Sequence, residues 1–409
     1  MQQTTPKSLR THIAILGRVN SGKSSFFNLV TGQSVSITSN IAGTTTDVVE
    51  KTQELLPLGP VVWIDTAGLG DISELGAKRI QKTKQVLSKA DVAILICDGN
   101  QWGEEEQEII SEAQKHNIPL IKVFNKSDLY NISEKGIKVN STDVSSRDRV
   151  LEELKIALSN VLSEKSSVAP SVLDGIVTAG STIILITPID KEAPKGRLIV
   201  PQVQTIRDAL DKDNIVLVVK ENQYIQALNN LKNKPDLVIC DSQVVDFMIA
   251  NTPEDIKCTT FSILFARLKG DLQAQAIGAT MISRLQDGDK VLISEACTHH
   301  AIDDDIGTVK IPRLLRQKTG KNLEIINVSG CGFPTNLADY KLVIQCGGCM
   351  LNRKEMMSRI QKCEEQGVCV TNYGICISEL KGVLAKVLSP FEEDLKQYNL
   401  LKNNNKKQQ

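Results

Sequence analysis

The chain has 409 residues, of which 41% are hydrophobic and 23% are charged. This composition is typical of globular proteins and excludes a collagen-like or a disordered chain. At about 150 residues per domain, the length predicts two or three domains. The 48 Lys and Arg residues equal the 48 Asp and Glu residues, so no overall basic field argues for nucleic acid or a membrane surface as a partner.

No apolar run reaches the roughly 20 residues that a membrane helix needs, and the first residues contain no apolar signal segment. We therefore expect a cytoplasmic protein whose ten cysteines stay reduced. Clustered cysteines in that compartment indicate metal or redox chemistry rather than disulfides.

The first segment alternates short apolar runs with amphipathic stretches, which predicts an α/β domain with a mostly parallel sheet. The predicted strands are residues 12–16, 61–64, 92–97 and 119–124. The predicted helices are residues 24–31, 76–88, 105–116 and 149–162. We assign residues 8–165 to this domain, and a polar stretch follows it as a linker.

Two smaller α/β domains are predicted after the linker, over residues 172–260 and 261–395. The predicted strands are residues 182–186, 215–219, 236–240, 290–293, 323–328, 341–344 and 368–371. The predicted helices are residues 203–211, 224–233, 352–366 and a long amphipathic helix over 261–285. The low-complexity tail, residues 396–409, is predicted to be disordered.

A phosphate-binding motif follows the first predicted strand and opens the first predicted helix. The run Gly17-Arg-Val-Asn-Ser-Gly22-Lys23-Ser24 fits the Walker A pattern in the context that the pattern requires. Its glycines let backbone N–H groups surround the phosphates. Lys23 should reach the β- and γ-phosphates as a catalytic residue, and the Ser24 hydroxyl should bind Mg²⁺. The nucleotide contacts predicted here are Gly17, Asn20, Ser21, Gly22, Lys23, Ser24 and Ser25.

Three further motifs indicate that the nucleotide is GTP or GDP. Asp65-Thr-Ala-Gly68 ends the second predicted strand, where Asp65 can hold Mg²⁺ through water and the Gly68 amide can sense the γ-phosphate. Asn125-Lys126-Ser-Asp128 ends the fourth, and its last carboxylate can accept two hydrogen bonds from guanine. Gly43-Thr-Thr-Thr-Asp47 supplies a switch threonine, Thr45, as a catalytic and magnesium-binding residue. The order and spacing of these motifs predict a GTPase domain. The fifth GTPase element is degenerate, and residues 140–144 are where we expect it.

The residues around the γ-phosphate narrow the subclass. Leu69 follows the Asp65–Gly68 motif where Ras-like enzymes carry a water-orienting glutamine, so another group, for which we choose Asp71, must orient the water. With the threonine motif, Asn20 resembles the potassium-activated TrmE-type GTPases, and that resemblance implies that Asn20 binds K⁺. A solvated acid at Asp71 and simple loop hydrogen bonding at Asn20 remain as alternatives.

The cysteine pattern of the third segment predicts a metal site. Cys346-Gly-Gly-Cys349 follows an apolar strand and precedes a predicted helix, and a helix N-terminus lowers the pKa of a thiol. Cys297-Thr-His299-His300 follows another strand in the same way. Because ligands gather at the carboxyl ends of parallel strands, Cys297, Cys346 and Cys349 should converge. Three cysteines suit an iron–sulfur cluster with an open fourth position, or a zinc site completed by histidine.

The whole arrangement resembles the HydF family of FeFe-hydrogenase maturation GTPases. The run from Cys297 to Pro312 and the run Thr371-Asn-Tyr-Gly374 are similar to that family's cluster region. The resemblance implies a GTPase domain, a dimerisation domain and a domain that binds a 4Fe–4S cluster, in a homodimer or a larger oligomer. It also implies a scaffold that receives a diiron precursor as cargo from two radical-SAM maturases and passes it to the FeFe-hydrogenase apoprotein.

One position departs from the resemblance. Some family members have histidine directly before the CxxC pair, where this chain has Gln345. The fourth cluster ligand must then be His299, His300, one of Asp303–Asp305, water or the incoming cargo. We favour the aspartate run, represented by Asp305, slightly over His299, because a carboxylate binds iron and leaves readily when a softer ligand arrives.

A competing hypothesis is a TrmE- or Era-like GTPase with a structural zinc site that acts on RNA. The cysteine segment, however, lacks a basic patch interleaved with aromatic residues, and aromatic residues are only 4% of the chain. The favoured hypothesis is therefore a slow GTPase that works as a switch on partner contacts during hydrogenase assembly.

Overall fold

The computed structural model describes residues 7–32, 49–65, 83–99, 102–163, 171–189, 198–296, 305–330, 333–347 and 351–407. The chain forms two compact units, residues 1–169 and 170–409. Both are α/β structures, as the sequence predicts.

The sheet of the first unit has the strand order β2-β3-β1-β4-β5-β6 among the described residues. Its strands are Thr11–Leu16 (β1), Val49–Leu55 (β2), Gly59–Asp65 (β3), Val92–Asp98 (β4), Leu120–Asn125 (β5) and Ile137–Lys138 (β6). All neighbours are parallel except β2 and β3. The four predicted strands are confirmed. The prediction missed β2 because it is a charged edge strand without an apolar run.

The helices of the first unit are Lys23–Thr31 (α1), Glu104–Lys115 (α2) and Arg147–Ser163 (α3), and residues 83–87 are also helical. Central strand β4 is buried along its whole length, as expected for a parallel strand covered on both faces. Apolar side chains of α1 and α3, such as Phe26 and Leu154, pack in one core with β1, β3 and β4. This packing fixes the carboxyl ends of the strands, where the candidate site lies.

The second unit contains two further parallel sheets, with strand orders β10-β9-β7-β8 and β12-β11-β13-β14 in the described part of the chain. The strands are Thr182–Ile186 (β7), Ile215–Val219 (β8), Leu237–Cys240 (β9), Lys257–Thr260 (β10), Lys290–Ser294 (β11), Glu324–Val328 (β12), Leu342–Gln345 (β13) and Cys369–Asn372 (β14). All seven predicted strands are confirmed, and β10 was missed.

Helices cover both sheets of the second unit. They are Val200–Asp211 (α4), Tyr224–Asn230 (α5), Val245–Asn251 (α6), Phe261–Lys269 (α7), Leu272–Ala279 (α8), Ile311–Thr319 (α9), Arg353–Glu365 (α10), Tyr373–Leu380 (α11), Leu384–Val387 (α12) and Glu392–Lys407 (α13). None of the helices in the described ranges is long and apolar enough to cross a membrane.

The prediction of one long helix over residues 261–285 is wrong. The helix ends at Gly270, and Asp271 begins a new one by accepting a hydrogen bond from Ala274 N at 2.8 Å. The aspartate that caps the second helix, directly after a glycine, therefore determines the helix boundary, although the apolar periodicity continues across it. Phe261 and Leu264 of α7 pack in the same core as strands β7 and β9.

The prediction that residues 396–409 are disordered is wrong for residues 396–407, because α13 continues to Lys407; residues 408 and 409 lie outside the described residues. Tyr398 is fully buried in the core, and its hydroxyl donates to Glu379 of α11. Lys402 Nζ lies 3.1 Å from Glu379 Oε1. Although this segment is mostly polar in composition, one face of the helix, which carries Tyr398 and Lys402, packs against the second unit and stabilises the helix.

Candidate nucleotide-binding and metal sites

The phosphate loop joins β1 to α1 with a backbone that requires glycine. Gly22 has φ 90° and directly precedes α1. A Cβ atom at Gly22 would lie 2.0 Å from Asn125 Nδ2, so any side chain would clash with the base-binding motif. Asn20 is exposed and also left-handed, with φ 61°. The loop geometry that the Walker A motif predicts is therefore present.

Lys23 lies inside this loop. Its side chain is largely buried, and Nζ donates to Gly17 O at 2.9 Å and Arg18 O at 2.7 Å. The ammonium group is thus held beside the backbone N–H groups that would surround a phosphate. Ser24 and Ser25 in the first turn of α1 are half-buried.

The base-binding motif is tied to the phosphate loop by one side chain. Asn125 is buried, and its Nδ2 donates to Ser21 O at 2.9 Å. Its Oδ1 accepts from Ser141 N at 3.0 Å and from Ser141 Oγ at 2.8 Å. Ser141 lies within residues 140–144, where we expect the fifth GTPase element, and it contacts the base-binding motif through these bonds. The sequence alone did not identify the residue.

These loops enclose a cavity of about 640 Å³, a size that suits a nucleotide. Its walls bring together predicted phosphate, magnesium and base contacts. They include Asn20, Gly22, Lys23, Ser24, Ser25, Asn125, Lys126, Asp128, Asn140, Ser141 and Thr142. Asp65 ends β3, which pairs directly with β1, and is buried. The predicted residues Thr45, Gly68 and Asp71, and also Leu69, lie outside the described residues.

Two ion pairs join the nucleotide-binding loops to β4 and α2. Lys126 Nζ is 2.9 Å from Asp98 Oδ2 at the end of β4. Arg18 Nε donates to Glu106 Oε1 at 2.6 Å, and the other guanidinium arm bonds Glu106 Oε2. Burial alone raises the pKa of the Glu106 carboxyl, but the hydrogen bonds from Arg18 and from Gly103 N outweigh it and hold the pKa below its usual value.

Cys346 stands at the carboxyl edge of the third sheet. It follows β13, its backbone N–H donates to Ser294 O at 2.9 Å, and its Sγ accepts from Ala296 N at 3.2 Å. Ala296 directly precedes Cys297, so the residue before one predicted ligand contacts another at this edge. Cys346 does not lie at a helix N-terminus as predicted, because α10 begins only at Arg353. Its position depends on the sheet rather than on a helix dipole.

Two further residues lie near Cys346: Glu295, which the sequence reasoning missed, and Tyr373, which it named only within the run similar to the family's cluster region. Tyr373, which opens α11, donates its hydroxyl to Glu295 Oε1 at 3.1 Å. Burial raises the pKa of Tyr373 far above its usual value, and the nearby Glu295 and Cys346 add to the shift. A Cβ atom on Gly307 would lie 2.3 Å from both oxygen atoms. Both residues could have been found from the sequence, because each directly follows a predicted strand: Glu295 follows β11 and Tyr373 follows β14.

The structure describes only part of the predicted ligand set. Asp305 is buried, and its Oδ1 accepts from Thr308 N at 2.7 Å at the start of a short π-helix, Ile306–Lys310. Gln345 is buried on β13. Cys297, His299 and Cys349 lie outside the described residues, as do His300, Asp303 and Asp304. Convergence of three cysteines therefore stays a prediction.

Most other described cysteines belong to the core. Cys97, Cys240, Cys258, Cys363 and Cys376 are fully buried. Burial raises the pKa of the Cys97 and Cys363 thiols to about 12, so these thiols stay protonated and are poor metal ligands. The five buried thiols therefore have a structural role in the cores.

The fold and the nucleotide motifs of the first unit define a P-loop GTPase domain. Consistent with this, residues 12–126 match the family model of the 50S ribosome-binding GTPase. Residues 172–270 match the hydrogen maturase F dimerization domain, and residues 273–390 match the hydrogen maturase F tetramerization domain. The last two models together cover more than half of the chain. The chain belongs to the hydrogen maturase F (HydF) family, as the sequence resemblance predicted.

Two curated relatives each match about a third of this chain. GTPase Der of Kosmotoga olearia is 36% identical over 135 residues, 32% of this chain and 30% of the relative. The tRNA modification GTPase MnmE of Prochlorococcus marinus is 42% identical over 122 residues, 29% of this chain and 26% of the relative. The chain thus spans less than a third of either relative. Translation elongation factor SelB from Methanococcus maripaludis aligns with a TM-score of 0.30 and 15% identity, over 41% of this chain and 37% of that one.

Proposed function

We propose that this chain is a GTP-hydrolysing iron–sulfur scaffold that carries a diiron precursor to apo FeFe-hydrogenase. The observation that carries the proposal is the Ala296 N to Cys346 Sγ hydrogen bond in the hydrogen maturase F region. It brings the residue before Cys297 to the first cysteine of the CxxC pair. The GTPase domain on the same chain supplies a switch that can act on partner contacts.

GTP hydrolysis would use the residues around the cavity in separate roles. Asp128 selects guanine through two hydrogen bonds, and Lys23 neutralises charge on the β- and γ-phosphates. Ser24 and Thr45 bind Mg²⁺, with Asp65 contributing through water. Asp71 orients the attacking water. Turnover is slow because Leu69 cannot polarise that water as a glutamine would.

We further propose that K⁺ stimulates this hydrolysis. The exposed, left-handed Asn20 lies on the rim of the cavity, and its amide oxygen is a suitable ligand for a potassium ion. The positive charge would oppose the negative charge that develops on the phosphates in the transition state. The likeness of the GTPase domain to tRNA modification GTPases supports this assignment.

The carboxyl edge of the third sheet at Cys346, which we call the cysteine edge, has side chains that can bind an iron–sulfur cluster. A half-buried thiol that receives a backbone N–H bond, as Cys346 does, fits a thiolate ligand of such a cluster. In the proposal Cys297, Cys346 and Cys349 bind a 4Fe–4S cluster, and Asp305 or His299 is a weak fourth ligand. When bound, the cluster supplies one iron with an exchangeable position for cargo.

Homodimer formation through the second sheet completes the proposal. Strand β8 lies at the edge of its sheet, and Ile215 and Val218 on it are 58% and 44% exposed. An exposed apolar edge strand favours pairing with another chain, and the matching dimerization model covers this region. The protein partners would be two radical-SAM maturases and the hydrogenase apoprotein.

Anaerobic purification followed by metal analysis and electron paramagnetic resonance tests the proposal. The reduced protein should show a cluster signal that added imidazole or cyanide perturbs. Cys346→Ser should lose most of the iron yet keep GTP hydrolysis. Cys369→Ser is the matched control, because Cys369 is also half-buried at a strand end but lies at the opposite end of its strand. A colourless protein with stoichiometric zinc would favour the RNA-acting alternative.

A further inference from the structure

Each of the two nucleotide-binding loops forms an ion pair with a carboxylate of β4 or of α2, two elements that follow each other in the chain. Strand β4 ends at Asp98, and α2 begins at Glu104. Asp98 pairs with Lys126 of the base-binding motif, and Glu106 pairs with Arg18 of the phosphate loop. Neither carboxylate lines the described cavity. These carboxylates therefore contact the loops directly and can act on a bound nucleotide only through them.

Glu106 is held rigidly in the first turn of α2. It is fully buried, and Gly103 N donates to its Oε2 at 2.9 Å. The Arg18 guanidinium meets both carboxylate oxygens in a planar, two-pronged arrangement. Such bidentate pairs fix orientation as well as distance. The side chain of Arg18 is consequently fixed relative to α2.

The backbone of Arg18 leads from this anchor to the catalytic lysine. Its carbonyl oxygen accepts from Lys23 Nζ at 2.7 Å and from Ser21 N at 3.3 Å. The peptide that holds the Lys23 ammonium thus belongs to the residue that Glu106 anchors. A shift of Arg18 would move the lysine and the loop N–H groups together.

Stability alone is a weak explanation for such a pair. Replacing a buried ion pair with apolar side chains of similar volume often leaves a protein equally stable, because desolvation offsets the attraction. A buried pair can instead contribute a defined geometry. Because the pair joins the phosphate loop to α2, the geometry that it fixes is that of the phosphate loop.

We propose that Glu106 is a positioning residue for GTP: through Arg18 it holds the phosphate loop in the conformation in which Lys23 and the loop amides reach the phosphates. This inference rests on the proposed GTPase function. Glu106 itself does not contact the nucleotide. Its removal should therefore weaken the binding of GTP and GDP without removing any ligand.

Three variants of the full chain test this role through nucleotide affinity and thermal midpoint. Glu106→Gln keeps the shape and removes the charge. The double variant Arg18→Met with Glu106→Leu replaces the pair with apolar side chains that can restore stability. Glu112→Gln is the matched control, because Glu112 also bonds a cation, Lys115, from the same helix but does not contact the phosphate loop.

Glu106→Gln should bind GTP and GDP roughly tenfold to a hundredfold more weakly than wild type, whereas Glu112→Gln should bind as wild type does. The double variant should stay weak even when its thermal midpoint equals that of wild type. Recovery of affinity together with stability would overturn the inference, since it would mean a purely structural pair.

The remaining outcomes are also decisive. If the double variant is unstable, Glu106→Gln is compared with Glu112→Gln at a temperature where both are folded, and equal affinities overturn the inference. A wild-type chain that binds no GTP would instead remove the proposed function on which the inference rests.

Discussion

The nucleotide site and the cysteine edge both lie at the carboxyl ends of parallel strands, but they are built differently. The nucleotide site uses contiguous motifs whose backbone turns are fixed by short contacts, such as those of Gly22 and Asn125. The cysteine edge draws single residues from separate loops: Glu295, Cys346 and Tyr373 follow three different strands.

This difference teaches where specificity resides in each site. In the nucleotide site, short contiguous motifs determine the backbone conformation that surrounds the phosphates. Single side chains, a lysine or an aspartate, then bind the phosphates or the base. An edge assembled from distant loops depends on the register of β11, β13 and β14. The two sites should therefore fail independently, and each prediction below tests that separation.

The largest expected effect comes from Lys23→Ala. Loss of the ammonium group that neutralises the phosphates should reduce GTP hydrolysis by roughly a thousandfold, measured as phosphate release under single-turnover conditions. Iron content should stay at the wild-type level, because Lys23 and the proposed cluster ligands belong to different compact units of the chain. An equal loss of iron would show that the two sites are not separable.

Asp128→Asn should have the next largest effect. Removing two hydrogen bonds to a charged acceptor should weaken GTP binding by about a hundredfold or more, and the amide should improve binding of XTP. Competition binding with both nucleotides measures the change. Unchanged GTP affinity would contradict the position that we give to the base, and with it the contiguous-motif account of this site.

Replacement of potassium by sodium should slow hydrolysis by about tenfold, with little effect on GTP binding. Asn20→Ala should abolish the difference between the two cations. Steady-state rates at constant ionic strength measure both. Equal rates in the two salts would remove Asn20 from the catalytic site and leave it as a loop residue.

The smallest expected effect is a decrease at acidic pH in the free energy of unfolding of the first unit. The pKa of Glu106 is depressed in the folded state, so its contribution is complete above the ordinary value of 4.5 and is lost as pH falls through the folded pKa. Wild type should lose about 1–3 kcal/mol more than Glu106→Gln over that range. Chemical denaturation at several pH values measures it, and parallel curves would contradict the prediction.

Local patterns predicted much of the fold and part of the nucleotide site. β1 and α1 follow from an apolar run and a glycine motif, and the Lys23 and Asn125 environments agree with their motifs. Ser141 was not identifiable, because a short degenerate element is recognised only by its hydrogen bonds to Asn125. The Arg18–Glu106 pair joins residues 88 positions apart, a separation that no local periodicity encodes.

The cysteine edge was less predictable for the same physical reason. The sequence indicated that Cys346 should meet the loop of Cys297, and Ala296 does lie against its sulfur. The sequence predicted the helix over residues 352–366, and Asn352 caps it in the structure, so only the expectation of a helix N-terminus at Cys346 was wrong. Capping and strand register, rather than composition, determine these details.

The C-terminal helix has a consequence for genetics and protein production. Tyr398 and Lys402 of α13 hold Glu379 on α11, and α11 begins with Tyr373, which bonds Glu295 beside Cys346. A frameshift or a premature stop codon before position 398 would therefore remove a fully buried side chain and its contacts with Glu379 from the second unit, although most residues from 398 to 407 are polar.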